Sequence, residues 1–282
     1  MSTVSGLEFW PKSDDRPDSP NETRSETGKP ASHEPVGVSI GLGHSSSRDI
    51  SLTISQDGFR RFLILVIGTI LSLALASYVF VDLTGHDTVL GVMHLLDVGK
   101  EQSLATFFAV FNILIGSALT FWIYRSEKLR RSILRFYWLA LSALLLYMAI
   151  DESATIHEKF IHLQEFFFDD SLPMIPSHGW MLLGAVFAAI VGLAFIPFLL
   201  TVSRRTAVMF VIAGTIFLTG ALGLEFVAAW MFSTGFADHA YLINRMPVLL
   251  EEGCELTGIA ILNCTLLREV VERNLVLNLR GA

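Results

Sequence analysis

The sequence predicts an all-α, polytopic membrane protein: a bundle of six transmembrane helices with both termini cytoplasmic, preceded by a disordered cytoplasmic tail. Three observations predict it. Only 17% of residues are charged and mean hydropathy is +0.55, whereas soluble domains carry about 25% charged residues. Six apolar runs each approach the ~20 residues needed to cross a bilayer. Lys and Arg concentrate in alternate connections between those runs, the pattern that sets orientation in a membrane.

Residues 1–58 are rich in Ser, Asp, Glu, Pro and Gly and show no sustained apolar period. Such a segment buries too little surface to offset its conformational entropy, so it is expected to be disordered. It lacks a basic start followed by a short apolar stretch, so it does not read as a secretory signal, and the first apolar run is expected to direct insertion.

The runs cover 61–83, 104–124, 134–153, 179–201, 206–232 and 247–267 within a membrane domain of 59–270, and 271–282 forms a short C-terminal tail. Arg60 and Arg61 precede the first run. Arg125, Lys128, Arg130, Arg131 and Arg135 surround the second connection. Arg204 and Arg205 lie between the fourth and fifth runs, and Arg268 and Arg273 follow the sixth. The other connections hold only Lys100, Lys159 and Arg245. The positive-inside rule therefore places both termini in the cytoplasm and the connections near 84–103, 154–178 and 233–246 outside, in a plasma or bacterial inner membrane.

That orientation sorts the polar residues to one side. His86, His94, His157, His162, His178 and His239 fall at the outward ends, together with Asp97, Glu101, Asp151, Glu152, Glu158, Glu225, Glu251, Glu252 and Glu255. An acidic, imidazole-rich face attracts cations, whether metals, protons or a cationic solute. The net charge of -7 argues against a nucleic-acid partner, which needs clustered bases. Cys254 and Cys264 lie well apart on one predicted helix and give neither a disulfide framework nor a zinc knuckle.

Carboxylates within apolar runs carry the functional argument, because a charge near the bilayer centre costs about 2.5–3.5 kcal/mol on insertion scales. In the third run, an unbroken helix would align Asp151, Thr155, Glu158 and His162 on one stripe, with Glu158 and His162 able to share an ion and His157 facing elsewhere. A solvated helix end is the plainer account of Glu158 and His162. Glu225 sits between apolar stretches about 10 Å below its helix end, where a protonated, hydrogen-bonded carboxyl is the plainer account. Gly220 and Gly223 before it permit close helix approach.

Glu251, Glu252 and Glu255 share about one helical turn, where like charges repel. Shared protons or a bound cation relieve that repulsion. A helix beginning at Pro247 would also ease it through its N-terminal dipole, and Arg245 offers a pairing partner for Glu251 or Glu252. Glu255 lies about 12 Å beyond Pro247, matching the depth of Glu225 as a shared site requires.

These residues suggest a divalent metal, iron, manganese or zinc, held by Asp151, Glu152, His162, Glu225, Glu251, Glu252 and Glu255, with oxygen donors weighing against a structural zinc. The style is that of a di-metal carboxylate site in a helix bundle, but no Glu here is followed by His three residues later. His157-Glu158 is followed by His162 one residue too late for a zinc-protease helix.

The first reading is therefore a metal-dependent membrane enzyme acting on a lipid or lipid-linked substrate, with His157 and Glu158 as catalytic acid or base. A second is a proton- or cation-coupled transporter or channel, against which stands the lack of an ionisable chain beyond Asn112, Thr120, Ser142, Asn263 and Thr265. A third is a sensor or assembly subunit without catalysis.

Overall fold

The first long helix, α1 (Gln56–Thr84), starts where the Ser55 side chain accepts the Gly58 N–H and stops at Gly85, whose left-handed φ of 70° closes the last turn onto Val81 O. Leu63, Ile67, Ile70, Ala74, Tyr78 and Val81 are buried at helical spacing. Between its polar ends most of its remaining surface is apolar and exposed, Leu65 at 69%, as suits a helix facing lipid. The computed structural model describes residues 55–159, 179–234, 241–273 and 275. All but four of the residues assigned to the tail, 1–54, lie outside that set.

A 3₁₀ turn at Val89–Gly91 and a short helix α2 (Val92–Leu96) lead to α3 (Leu104–Leu129), which begins at an N-cap made by Ser103 to Thr106 N. The chain reverses at Arg131, with φ 55°, into α4 (Leu134–Ala154). The α3–α4 pair packs closely because small polar residues face each other: Ser117 donates to Ser142 O at 2.9 Å and Ser142 donates to Ser117 O at 3.0 Å.

After α5 (Ile156–Lys159) come α6 (Gly179–Thr201) and α7 (Arg204–Leu218), then a π-helical segment (Thr219–Leu224), α8 (Glu225–Ser233) and α9 (Tyr241–Glu272). Among the described residues there is no strand. Five helices are long and apolar enough to cross a membrane: Gln56–Thr84, Leu104–Leu129, Leu134–Ala154, Met181–Thr201 and Arg204–Met231. The chain is thus helical, with several helices of the length and apolarity that a multi-pass membrane protein requires.

The predicted sixth span falls within α9, which fails that count for a physical reason. At 32 residues it is about 48 Å long, ample for a bilayer, but it carries Glu251, Glu252, Glu255 and buried Asn263. It is also the interior helix, packed against α1, α3, α7, the π segment and α8, and a helix shielded by its neighbours need not be apolar all round. Gly258 sets one of those approaches, since an added Cβ would lie 2.8 Å from Ala213 O and 2.9 Å from Phe217 N.

Two sequence expectations need correction. The helix of the third run does not continue to residue 162. It ends at Thr155, which takes a left-handed φ of 49°, so the stripe Asp151, Thr155, Glu158, His162 does not form. The sixth helix does not begin at Pro247; it is helical from Tyr241 onward with Pro247 inside. The acids of α9 therefore sit nearly three turns in, away from the helix N-terminus and its dipole.

Candidate functional site

One end of the bundle gathers the carboxylates. Glu152 comes from the last turn of α4, Glu225 from the first turn of α8, and Glu251, Glu252 and Glu255 from the middle of α9. Glu152 lies within electrostatic reach of Glu252 and Glu255, and Glu225 within reach of Glu251 and Glu255. All five are partly covered by neighbouring helices. Three elements thus converge on one acidic neighbourhood.

The π segment positions part of it. Gly220 is pressed so close to α9 that a Cβ there would lie 2.7 Å from Glu251 O and 3.0 Å from Glu255 Cγ. Only glycine permits that approach, and the wide π turn then delivers Glu225 toward the acids of α9. π-Helical turns inside α-helices recur at functional sites. Gly223 has no such role, because its nearest neighbour is Thr219 Cγ2 at 4.0 Å.

At the margin, the break at Thr155 folds His157 back onto α4. Asp151 accepts the His157 backbone N–H at 2.8 Å through Oδ1 and meets the ring Nδ1 at 3.0 Å through Oδ2. Asp151 thus closes the turn that follows α4 instead of facing the acids of α9. His157 in turn lies within electrostatic reach of Glu152 and Glu251. The side chain of Glu158 and all of His162 lie outside the described residues.

Arg245 pairs with neither Glu251 nor Glu252. Its Nη2 lies 3.5 Å from Asp97, and its guanidinium stands 5.5 Å from the Tyr241 ring centre and 6.0 Å from that of Tyr78. Tyr78 donates to Asp97 at 2.7 Å and Gly99 N at 3.2 Å. Asp97, 7% exposed, is therefore fully engaged in tying the α1–α3 connection to α1 and α9. Among the described residues no Arg or Lys makes an ion pair with Glu152, Glu251, Glu252 or Glu255. No three His, Cys, Asp or Glu side chains among them are grouped so as to hold a metal ion.

The acids border a small cavity of about 10 Å³, lined by Glu152, Glu255, Asn112 and apolar residues including Ala109. Of these, Asn112 belongs to a buried amide pair. Asn263 Nδ2 donates to both the backbone O and the Oδ1 of Asn112, each at 2.7 Å. Gly116 leaves room for the Asn263 side chain, its absent Cβ lying only 2.6 Å from Asn263 Oδ1.

The opposite end of the bundle holds acids that sequence reasoning missed. Glu127 on α3 and Glu269 on α9 are 5% and 6% exposed. Arg273 pairs with both, bonding Glu127 through Nη1 and lying 2.9 Å from Glu269 through Nη2. Thr206 at the start of α7 donates to Glu269 and accepts from Arg268 at 3.1 Å. Arg273 also stands over Trp138 at 5.4 Å. A signal was available: Arg268 and Glu269 together are bracketed by Leu266, Leu267, Val270 and Val271, which marks a covered charged pair of positions.

No curated protein and no solved structure matches the chain. A family model covering residues 62–270, which span α1 through nearly all of α9 including every acid described above, matches the sequence, and the chain belongs to that family, described as Domain of unknown function (DUF8692).

Proposed function

We propose that this chain is a proton- or cation-coupled membrane transporter whose coupling site is the carboxylate cluster of Glu152, Glu225, Glu251, Glu252 and Glu255. The observation that carries the reading is the convergence of acids from three elements with no Arg or Lys ion-paired to Glu152, Glu251, Glu252 or Glu255 among the described residues. Like charges drawn together out of water demand protons or a cation, and exchange of either is the currency of coupled transport.

The objection from sequence was the want of polar and ionisable groups beyond the cluster. Buried Asn112, Asn263, Ser117, Ser142 and Thr120 continue along α3, α4 and α9, and Glu127, Glu269 and Arg273 follow at the far end. In this reading α9 is the sixth span, both termini are cytoplasmic, and the carboxylates face outward in a plasma or bacterial inner membrane. Amides do not readily pass protons on, so Asn112 and Asn263 close the site on its inner side at rest. Transport then requires a rearrangement, for which the π segment beside Glu225 is the natural hinge.

The test uses detergent-purified protein in weakly buffered solution. Wild type takes up protons on acidification through carboxyl groups seen by infrared spectroscopy, and Glu255→Gln and Glu225→Gln each remove part of that uptake. Identical uptake in all three proteins, with no Na⁺ or K⁺ held by wild type and lost from either variant, removes the reading. Orientation is checked by labelling single cysteines at Ser132 and Asp87 after replacing Cys254 and Cys264, with Asp87→Cys alone reached from outside intact cells.

A second reading, a metal-dependent enzyme acting on a lipid with His157 and Glu158 as acid or base, has one observation in its favour. A groove of about 740 Å³ lies along the outer side of the π segment, lined by Met181, Leu182, Thr215, Thr219, Gly223 and Phe226. It is apolar, as a site for acyl chains would be. One or two equivalents of iron, manganese or zinc, retained by wild type and lost in Glu255→Gln, would establish this reading over transport.

A further inference from the structure

The buried amide pair beneath the carboxylates has a fixed hydrogen-bond sense. Only a donor suits the backbone carbonyl of Asn112, so the atom of Asn263 that approaches it must be Nδ2. The same Nδ2 meets the side chain of Asn112, which must then present Oδ1. Flipping either amide would set two acceptors or two donors against each other. Asn112 Nδ2 is thereby left over, and it has no hydrogen-bond partner.

Asn112 is 0% exposed, so this donor is beyond the reach of bulk water, and an unsatisfied buried donor is costly. Asn112 also lines the small cavity it shares with Glu152 and Glu255. With Oδ1 turned to Asn263, the amide offers Nδ2 to that space. The cavity volume of about 10 Å³ is about the least that holds one water.

We propose that one water molecule occupies this cavity as part of the site, accepting from Asn112 Nδ2 and donating to the carboxyl groups of Glu152 and Glu255, and that Asn112 thereby excludes metal ions from the inner end of the cluster. A water can accept from this one donor and give one proton to each of the two carboxyl groups. A bare cation does not fit, because it needs oxygen donors on every side and an N–H turned toward it is repelled. The proposal rests on the coupling-site reading for its functional meaning only; the water is argued from the orphaned donor, the cavity and its lining. Asn112 is on this account a specificity-determining residue: it makes this corner of an acidic cluster receptive to protons and hydrogen-bonded water, and unreceptive to divalent metal.

Ala109 gives a way to test it without touching a polar group. It is buried and lines the cavity, so Ala109→Val puts methyl groups where the water would lie. The measurement is the infrared difference between protein equilibrated in ordinary water and in oxygen-18 water, on wild type, Ala109→Val and Asn112→Leu, with helical content and melting in detergent followed alongside. An isotope-sensitive O–H band of a sequestered water, present in wild type and missing from Ala109→Val, supports the proposal. A band that persists unchanged in a folded Ala109→Val protein overturns it, as does a wild type without one.

Selectivity is read separately with Mn²⁺ alone as probe. Asn112→Asp keeps the shape, removes the donor and adds a carboxylate, so it should bind Mn²⁺ at least about tenfold more tightly than wild type. Equal affinity in the two proteins overturns the selectivity claim. If wild type shows the water band but takes up no protons through Glu255, the transport reading fails while this proposal stands.

Discussion

The two ends of the bundle hold buried acids in opposite ways. At the end where α3 and α9 finish, Glu127 and Glu269 share Arg273, with Thr206 and Arg268 completing the network. At the other end Glu152, Glu251, Glu252 and Glu255 assemble with one another, and the nearby Arg245 is committed to Asp97. The first arrangement answers its buried acids with a base and ties three helices together. The second is neutral only when it holds protons or a cation. Acid paired to base reads as architecture; acid gathered with acid reads as function.

Substitutions separate the two ends, and the largest effect belongs to the paired one. Arg273→Ala strands two covered carboxylates, and loss of one partner of a buried pair costs about 3–5 kcal/mol. Unfolding in detergent should show that loss directly, and Glu127→Gln combined with Glu269→Gln should recover part of it by removing the stranded charges. If Arg273→Ala melts like wild type, the network is not what holds this end.

Gly220→Ala should come next. Its methyl group meets the α9 backbone at Glu251 O, 2.7 Å away, and overpacking of this kind costs about 1–3 kcal/mol. It should also disturb proton uptake, since it displaces the segment that carries Glu225. Gly223→Ala is the internal control. Its site is open, so stability and uptake should both stay within about 0.5 kcal/mol and experimental error of wild type. Equal behaviour of the two glycine variants would remove the role given to the π segment.

Tyr78→Phe deletes the 2.7 Å bond to Asp97 and should cost about 1–2 kcal/mol, with proton uptake by the carboxylates unchanged. The smallest stability effect is expected from Glu255→Gln, within about 1 kcal/mol of wild type or slightly stabilising, because it relieves like-charge repulsion. That variant should nonetheless lose the most function. The inverse relation between stability loss and functional loss across the two ends is the signature of the contrast.

Much of this was legible in the sequence. Apolar runs and basic connections gave the long helices to within a few residues at most ends, and the matched depths of Glu225 and Glu255 anticipated that the two would meet. What escaped has physical causes. Thr155 in a left-handed conformation is rare for a β-branched residue, so nothing local announced the break that turns His157 onto Asp151. Pro247 suits a helix start, and Asn244 and Arg245 just before it interrupt the apolar residues of the first turn and a half of α9.

Glu127 and Glu269 were overlooked because they sit near arginines at the ends of runs, where a solvated face is the ordinary reading. The apolar pairs on both sides of Arg268 and Glu269 argued otherwise. The amide pair was visible only as two polar residues on different helices. Its hydrogen-bond sense, and the donor it leaves over, depend on the backbone carbonyl of Asn112, which no side-chain pattern records.

The most direct test of the central claim is an infrared pH titration of detergent-purified wild type beside Glu255→Gln, with elemental analysis of the same samples. The account predicts a carboxyl C=O band that comes and goes reversibly with pH in wild type, is diminished in Glu255→Gln, and is accompanied by no stoichiometric iron, manganese or zinc. Indistinguishable titrations in the two proteins, or a wild type whose carboxylates stay ionised around a bound equivalent of iron, manganese or zinc, would contradict it.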